Sequence, residues 1–103
     1  MALNLNPEQI QAARAKALEM RRARAELLTG VADGRLDPVD MLHASTDPTV
    51  AGIRVARLVR AVPGYGKIRA ERLMATAGIN ARRRVAGLGT RQRAALADAL
   101  RGV

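Results

Sequence analysis

The chain has 103 residues and a formal net charge of +9, enough length for one compact domain with a modest core and enough charge to point to a polyanionic partner. It has no cysteine, which excludes disulfides, thiolate metal sites and a cysteine nucleophile. Tyr65 is the single aromatic residue, so base stacking on several rings, the usual way of holding single strands or RNA loops, is excluded as a main device.

Helix signals dominate from the start. Asn6-Pro7-Glu8-Gln9 reads as an N-cap, a proline at the first helical position and a polar first turn. The spacing of Ile10, Ala13, Ala17, Met20 and Leu27 predicts a long helix to about Leu28 with a narrow apolar stripe. Its cations (Arg14, Lys16, Arg21, Arg22, Arg24) fit either an amphipathic helix packed on the domain or a basic arm on nucleic acid; Glu8, Glu19 and Glu26 dilute the charge and favour the first. The stripe fits packing inside the chain or against a second one.

Thr29 to Leu36, with two glycines, reads as a loop. Asp37-Pro38 and Asp47-Pro48 each start a short helix. After a break at Gly52, a helix is predicted from Ile53 to Ala61, with Val55, Leu58, Val59 and Val62 on its inner side. Pro63-Gly64-Tyr65-Gly66 is a tight connection. The next helix, Lys67 to Ala77, turns Ile68, Leu73 and Met74 inward and ends at Gly78 in the left-handed conformation. Asn80 caps a short turn through Arg84. Gly87-Leu88-Gly89 is a second tight connection, and Thr90 caps a last helix to about Arg101. No alternating strand pattern is present. The expected fold class is therefore all-α, with a long N-terminal helix (1–30), connecting loop and short helices (31–52), and a C-terminal module (53–103).

Charge is unevenly placed. Residues 1–52 hold 6 basic and 7 acidic side chains, whereas residues 53–103 hold 12 and 2, which assigns the binding face to the second half. The basic residues are 16 Arg and only Lys16 and Lys67. A GC-rich genome would produce that bias unaided, but guanidinium forks bind phosphate in two-toothed fashion whatever their origin.

The strongest local signal is Val59 to Leu73. An apolar pair, Pro-Gly-apolar-Gly, and an alanine four residues after the second glycine form a helix-hairpin-helix pattern. Glycines allow a tight turn and close approach of a ligand, and the following helix begins with free N–H groups and a positive dipole end. Together they make an anion site. Lys67 and Arg69 sit in that first turn, where the dipole disfavours cations unless an anion is bound. The conflict recurs at Arg91 and Arg93 after Gly87-Leu88-Gly89, and Arg82, Arg83 and Arg84 crowd the turn at Asn80. The expected phosphate-binding set is Pro63, Gly64, Tyr65, Gly66, Lys67, Arg69, Arg82, Arg83, Arg84, Gly87, Gly89, Arg91 and Arg93. Within it, Tyr65 is expected to pack in the core, and Gly66 to need either a positive φ or close phosphate approach.

Catalysis finds little support. His43 is the only histidine and no nucleophile is placed beside it. The acids show no paired-carboxylate or metal-ligand spacing. A lyase or glycosylase fragment, the other setting for such hairpins, would need a partnered nucleophile. No cofactor is expected. Neither a secretion signal nor a membrane-length apolar run appears, so a cytoplasmic location is expected.

From Ile53 onward the order Pro-Gly-Tyr-Gly-Lys, then Ala-Gly-Ile-Asn-Ala-Arg-Arg-Arg-Val-Ala-Gly-Leu-Gly, resembles a helix-two-turns-helix module. Two families share it: the actinobacterial integration host factor, and a small-subunit ribosomal protein that binds structured RNA. The opening Met-Ala-Leu with Pro-Glu-Gln, the segment Arg21 to Leu27, and Arg83 to Gly89 followed by Arg91-Gln92-Arg93 resemble the first, over nearly the whole chain. The resemblance implies a nucleoid-associated, non-enzymatic protein that binds double-stranded DNA with little sequence preference, bends or compacts it, and assists site-specific recombination with a phage integrase–DNA complex. It also places Gly64, Gly66, Lys67 and Arg69 in the family's hairpin, and Arg82, Arg83, Arg84, Gly87 and Gly89 in its second turn.

Overall fold

The computed structural model describes residues 6–102. Six α-helices and one 3₁₀ turn make up the architecture. They are α1 (Pro7–Ala32), α2 (Pro38–His43), α3 (Pro48–Ala51), α4 (Val55–Ala61), α5 (Lys67–Thr76), the 3₁₀ turn Val85–Gly87, and α6 (Thr90–Arg101).

The start of α1 follows its sequence signal. The Asn6 side chain accepts from the Gln9 N–H at 2.8 Å, and the Gln9 side chain accepts from the Asn6 N–H at 2.9 Å, a reciprocal cap. The helix then leaves the domain: residues 6–19 are exposed throughout, Ile10 at 37% and Leu18 at 42%. Of the expected apolar stripe, Ile10, Ala13 and Ala17 therefore lie outside the core formed by the described residues. Only the C-terminal part, with Leu27 and Leu28 half-buried and Val31 buried, docks against α3 and α4.

The loop expected from Thr29 instead begins after Ala32. Gly30 stays helical even though glycine costs about 1 kcal/mol there relative to alanine. Its missing side chain is the reason. A Cβ on Gly30 would lie 2.6 Å from Leu36 Cδ1, so the returning chain occupies that space, and Leu36 N–H donates to the Gly30 carbonyl at 3.0 Å. In the turn, the Arg35 side chain hydrogen-bonds Asp33 and holds its carboxyl below the usual range.

The short helices α2 and α3 are capped as read: Asp37 accepts from Val39 N–H and Asp47 from Thr49 N–H, each at 2.8 Å. The core gathers Leu42 of α2, Val55, Leu58 and Val59 of α4, Val85 of the 3₁₀ turn and Leu96 of α6, all fully buried. Helix α2 packs on α6, α4 on α5, and α3 on the 3₁₀ turn.

Helix α4 starts at Val55 instead of Ile53, because Arg54 is extended at φ −70° and ψ 131° and pairs with a distant segment. Val55 N–H donates to the Arg83 carbonyl and Val85 N–H to the Ile53 carbonyl, each at 2.9 Å, an isolated antiparallel bridge centred on Arg54 and Arg84. Helix α5 buries Ala70 and Met74 and half-buries Leu73 and Ala77, a three-and-four spacing that leaves Ile68 outside at 67% exposure, against the inward position expected for it. Among the described residues no helix is long and apolar enough to cross a membrane.

Leu58 has no exposure and contributes to the face that holds α4 in the core. Leu58→Ala is expected to lower stability by about 2–5 kcal/mol in urea unfolding. A loss below about 1 kcal/mol would mean that α4 is not packed as described.

Candidate nucleic-acid interface

Helix starts differ between the two halves of the chain. In the first half, α1, α2 and α3 each have a side chain, Asn6, Asp37 or Asp47, accepting from a first-turn N–H. In the second half the N-cap residues of α4, α5 and the 3₁₀ turn, Arg54, Gly66 and Arg84, accept no such bond. At α6 the N-cap is Gly89, which has no side chain to offer, and not Thr90 as the sequence predicts. Gln92 accepts the Gly89 N–H at 2.9 Å and donates to the Gly78 carbonyl at 2.9 Å, fastening this turn to the end of α5. The amides that open α5 and α6 thus lack acceptors from capping side chains, and each helix carries cations in its first turn.

The hairpin between α4 and α5 is set by Gly64. Its φ of 90° lies in the left-handed region, where a side chain is strained, and Tyr65 N–H closes the turn on the Val62 carbonyl at 3.0 Å. Gly66 has an ordinary φ of −88°, so of the two reasons foreseen for glycine there, backbone strain is removed. No atom lies within 4 Å of a Cβ built on Gly66, which leaves an open approach to the start of α5. Tyr65 is buried, as expected. The Arg69 guanidinium sits 4.3 Å from its ring centre and donates to the Gly64 carbonyl at 3.1 Å. Arg69 therefore braces the loop from inside the chain. Pro63 and Lys67 are exposed.

The second turn is equally built. The Asn80 side chain accepts from Arg82 N–H at 2.8 Å, and Arg83 N–H returns to the Asn80 carbonyl at 2.9 Å. Arg82, Arg83 and Arg84 then line one open hollow with Gly87. Arg83 donates to the Gly87 carbonyl at 3.1 Å, and Arg84 to the Gly52 carbonyl. Gly87 has a packing reason to be glycine, since a Cβ there would stand 3.0 Å from Arg83 Cδ. Arg91 is exposed in the first turn of α6.

Arg93 departs from the expected set. It is half-buried, with Nε donating to the Leu42 carbonyl at 2.8 Å and Nη2 to the Val85 carbonyl at 3.2 Å. Its guanidinium ties α6 to α2 and to the 3₁₀ turn. Arg54 and Arg57 escaped the sequence reading; with Arg24, read there only as one cation of a possible basic arm, they line a cleft with Arg84. They are 60 positions apart at the extremes of that set, and only the fold brings them together. Among the described residues no group of three potential ligands could hold a metal ion.

Arg93→Gln is expected to cost about 1–3 kcal/mol in thermal or urea unfolding through its two lost charge-assisted bonds. Arg82→Gln, whose side chain makes no hydrogen bond among the described residues, should leave stability unchanged. Equal melting of the two variants would contradict the structural role of Arg93.

Residues 33–100 match the family described as S13-like H2TH domain. The chain is 41% identical to an integration host factor of Mycolicibacterium smegmatis over 95% of each chain. It is 38% identical to one of Streptomyces coelicolor over 89% of this chain and 87% of that one. A solved structure described as sIHF bound to an 8-bp palindromic DNA superposes with a TM-score of 0.77 at 33% identity, covering 84% of this chain and 98% of that one. With this fold and these identities, the chain belongs to the integration host factor family.

Proposed function

We propose that the protein binds double-stranded DNA through its phosphate backbone, with little sequence preference, as a nucleoid-associated protein. One observation carries the reading: no N-cap side chain accepts from the first-turn amides of α5 and α6, cations stand in both first turns, and both lie in the half of the chain that holds all of the net positive charge. Such helix starts bind anions through their amides and dipole, and phosphate contacts of this kind position a protein without reading bases. The DNA-bound relative supports the choice of duplex DNA as the polyanion.

The contact set we assign is Gly64, Gly66 and Lys67 at the hairpin, Arg82, Arg83, Arg84 and Gly87 at the second turn, and Gly89 and Arg91 at the start of α6. Pro63, Tyr65 and Arg69 act by shaping the hairpin. Arg93 is left out of it because both of its bonds run inward. No step of chemistry is assigned, and the protein's action is architectural: two separated phosphate-binding turns on one rigid module can hold a bent or compacted duplex. Help to site-specific recombination, with a phage integrase–DNA complex as partner, follows from that action and from family membership. The S13-like match favours one other reading, binding of structured RNA through the same turns.

With about five phosphates neutralised, log K for a duplex should fall with log salt at a slope of roughly −4 to −5 in fluorescence anisotropy. A slope near zero would remove the phosphate mechanism, and stronger binding to an RNA hairpin than to a matched duplex would favour the RNA reading. Gly66→Ala gives a clean local test, because the site tolerates a Cβ. It should fold normally and bind DNA about tenfold more weakly, the size of one lost charge-assisted contact. Unchanged affinity would take the start of α5 out of the interface.

A further inference from the structure

Between α1 and the start of α4 lies a narrow cleft of about 150 Å³, walled by Arg24, Arg54, Arg57 and Arg84 around Leu28 and Gly52. No carboxylate lines it. Among the described residues the ion pairs are Arg35 with Asp33 and Arg101 with Asp98, both elsewhere.

The backbone forces these cations together. Arg54 and Arg84 are the directly opposed pair of the antiparallel bridge, in the position between its two hydrogen bonds. Side chains of such a pair leave on the same side with Cβ atoms about 4.5–5.5 Å apart, and like charges there repel. Arg57 follows Arg54 by three residues at the start of α4, again a neighbouring position. Arg24 arrives from α1: its Nη1 would lie 3.3 Å from a Cβ on Gly52, the residue whose carbonyl accepts from Arg84. Two guanidinium groups therefore meet at one glycine with no acid beside them.

Repulsion of this kind becomes attraction when an anion with several oxygens enters, since each guanidinium can then give charge-assisted bonds. We infer that this cleft binds a compact oligophosphate, a class of ligand distinct from the duplex assigned to the hairpin and second turn. Its narrowness selects the ligand. A chain of two or three phosphates fits 150 Å³, whereas the hollow at Arg82 and Arg83 is broader, about 570 Å³, and open as a duplex backbone requires. Because Arg84 lines both places, the cleft can report on soluble phosphate to the DNA-binding module.

The test is isothermal titration of the full chain with inorganic tripolyphosphate in about 150 mM salt, where exposed charges are screened beyond about 8 Å. Saturable binding of one tripolyphosphate per chain is expected. The double variant R24Q/R57Q should lower its affinity about tenfold or more. The control R14Q/K16Q removes the same charge from the free part of α1 and should leave it unchanged. Duplex affinity of R24Q/R57Q, read by anisotropy, should fall much less than tripolyphosphate affinity. Circular dichroism confirms folding, and R54Q, at an exposed position, replaces the double variant if that variant unfolds. Absence of saturable binding, equal loss in the control, or an equal fall in duplex affinity would each overturn the inference. The last result would make the cleft part of the DNA surface.

Discussion

Two backbone hydrogen bonds, Val55 N–H to the Arg83 carbonyl and Val85 N–H to the Ile53 carbonyl, close the C-terminal module on itself. They join segments some thirty residues apart, and the extended geometry around them alternates side chains. Ile53, Val55 and Val85 go into the core, all nearly or fully buried, while Arg54 and Arg84 go out. Burying three branched residues stabilises the bridge by several kcal/mol at about 1.5–3 kcal/mol each. The same alternation fixes where the second arginine-rich turn stands relative to α4. Without it, Arg82, Arg83 and Arg84 would form a loose basic loop; with it, they border a hollow of defined shape.

The remaining architecture divides the work electrostatically. Carboxylates and amides in the first half satisfy the helix starts there, at Asn6, Asp37 and Asp47, and spread acid among the base. In the second half the acids are reduced to Glu71 and Asp98, and glycines replace capping side chains ahead of α5 and α6. That leaves positive dipole ends and cations together, a state that stores repulsion until an anion arrives. Internal carbonyls take up part of that charge. Of the assigned contact residues, Arg83 and Arg84 each donate to a backbone oxygen, which restricts these two long side chains before any ligand binds. Pre-ordering of this kind reduces the entropy that binding must remove.

Much of this was legible in the sequence, for local reasons. Asn6-Pro7, Asp37-Pro38 and Asp47-Pro48 are self-sufficient caps, Gly78 does adopt the left-handed conformation at φ 69°, and the Val55–Val62 spacing gives the buried face of α4. What failed depends on distant neighbours. Gly30 reads as a helix stop until Leu36 is seen filling its missing side chain. Gly66 and Gly64 look alike in a Pro-Gly-Tyr-Gly run, yet only Gly64 needs a positive φ. Arg93 resembles Arg91 by position, and nothing in the linear pattern shows that α2 and the 3₁₀ turn present carbonyls to it; its place outside the DNA contact set is part of the proposal. The basic cleft at Arg24, Arg54 and Arg57 is invisible to any linear pattern, because α1 supplies one wall and α4 another. The contact set at the hairpin and second turn was written from motif and charge; the geometry of both turns is now described, and their contacts with DNA are a proposal.

The central claim is that phosphate meets the backbone amides opening α5 and α6, together with the second turn. The most direct measurement is ¹⁵N–¹H amide shift mapping of the labelled protein during titration with a short DNA duplex. The account predicts that the largest shifts fall on Gly66 to Arg69, Arg82 to Val85 and Gly89 to Arg91, with the exposed first half of α1 little changed. Shifts concentrated on residues 7–22, with the α5 and α6 starts unmoved, would contradict it and make the long helix the DNA-binding element.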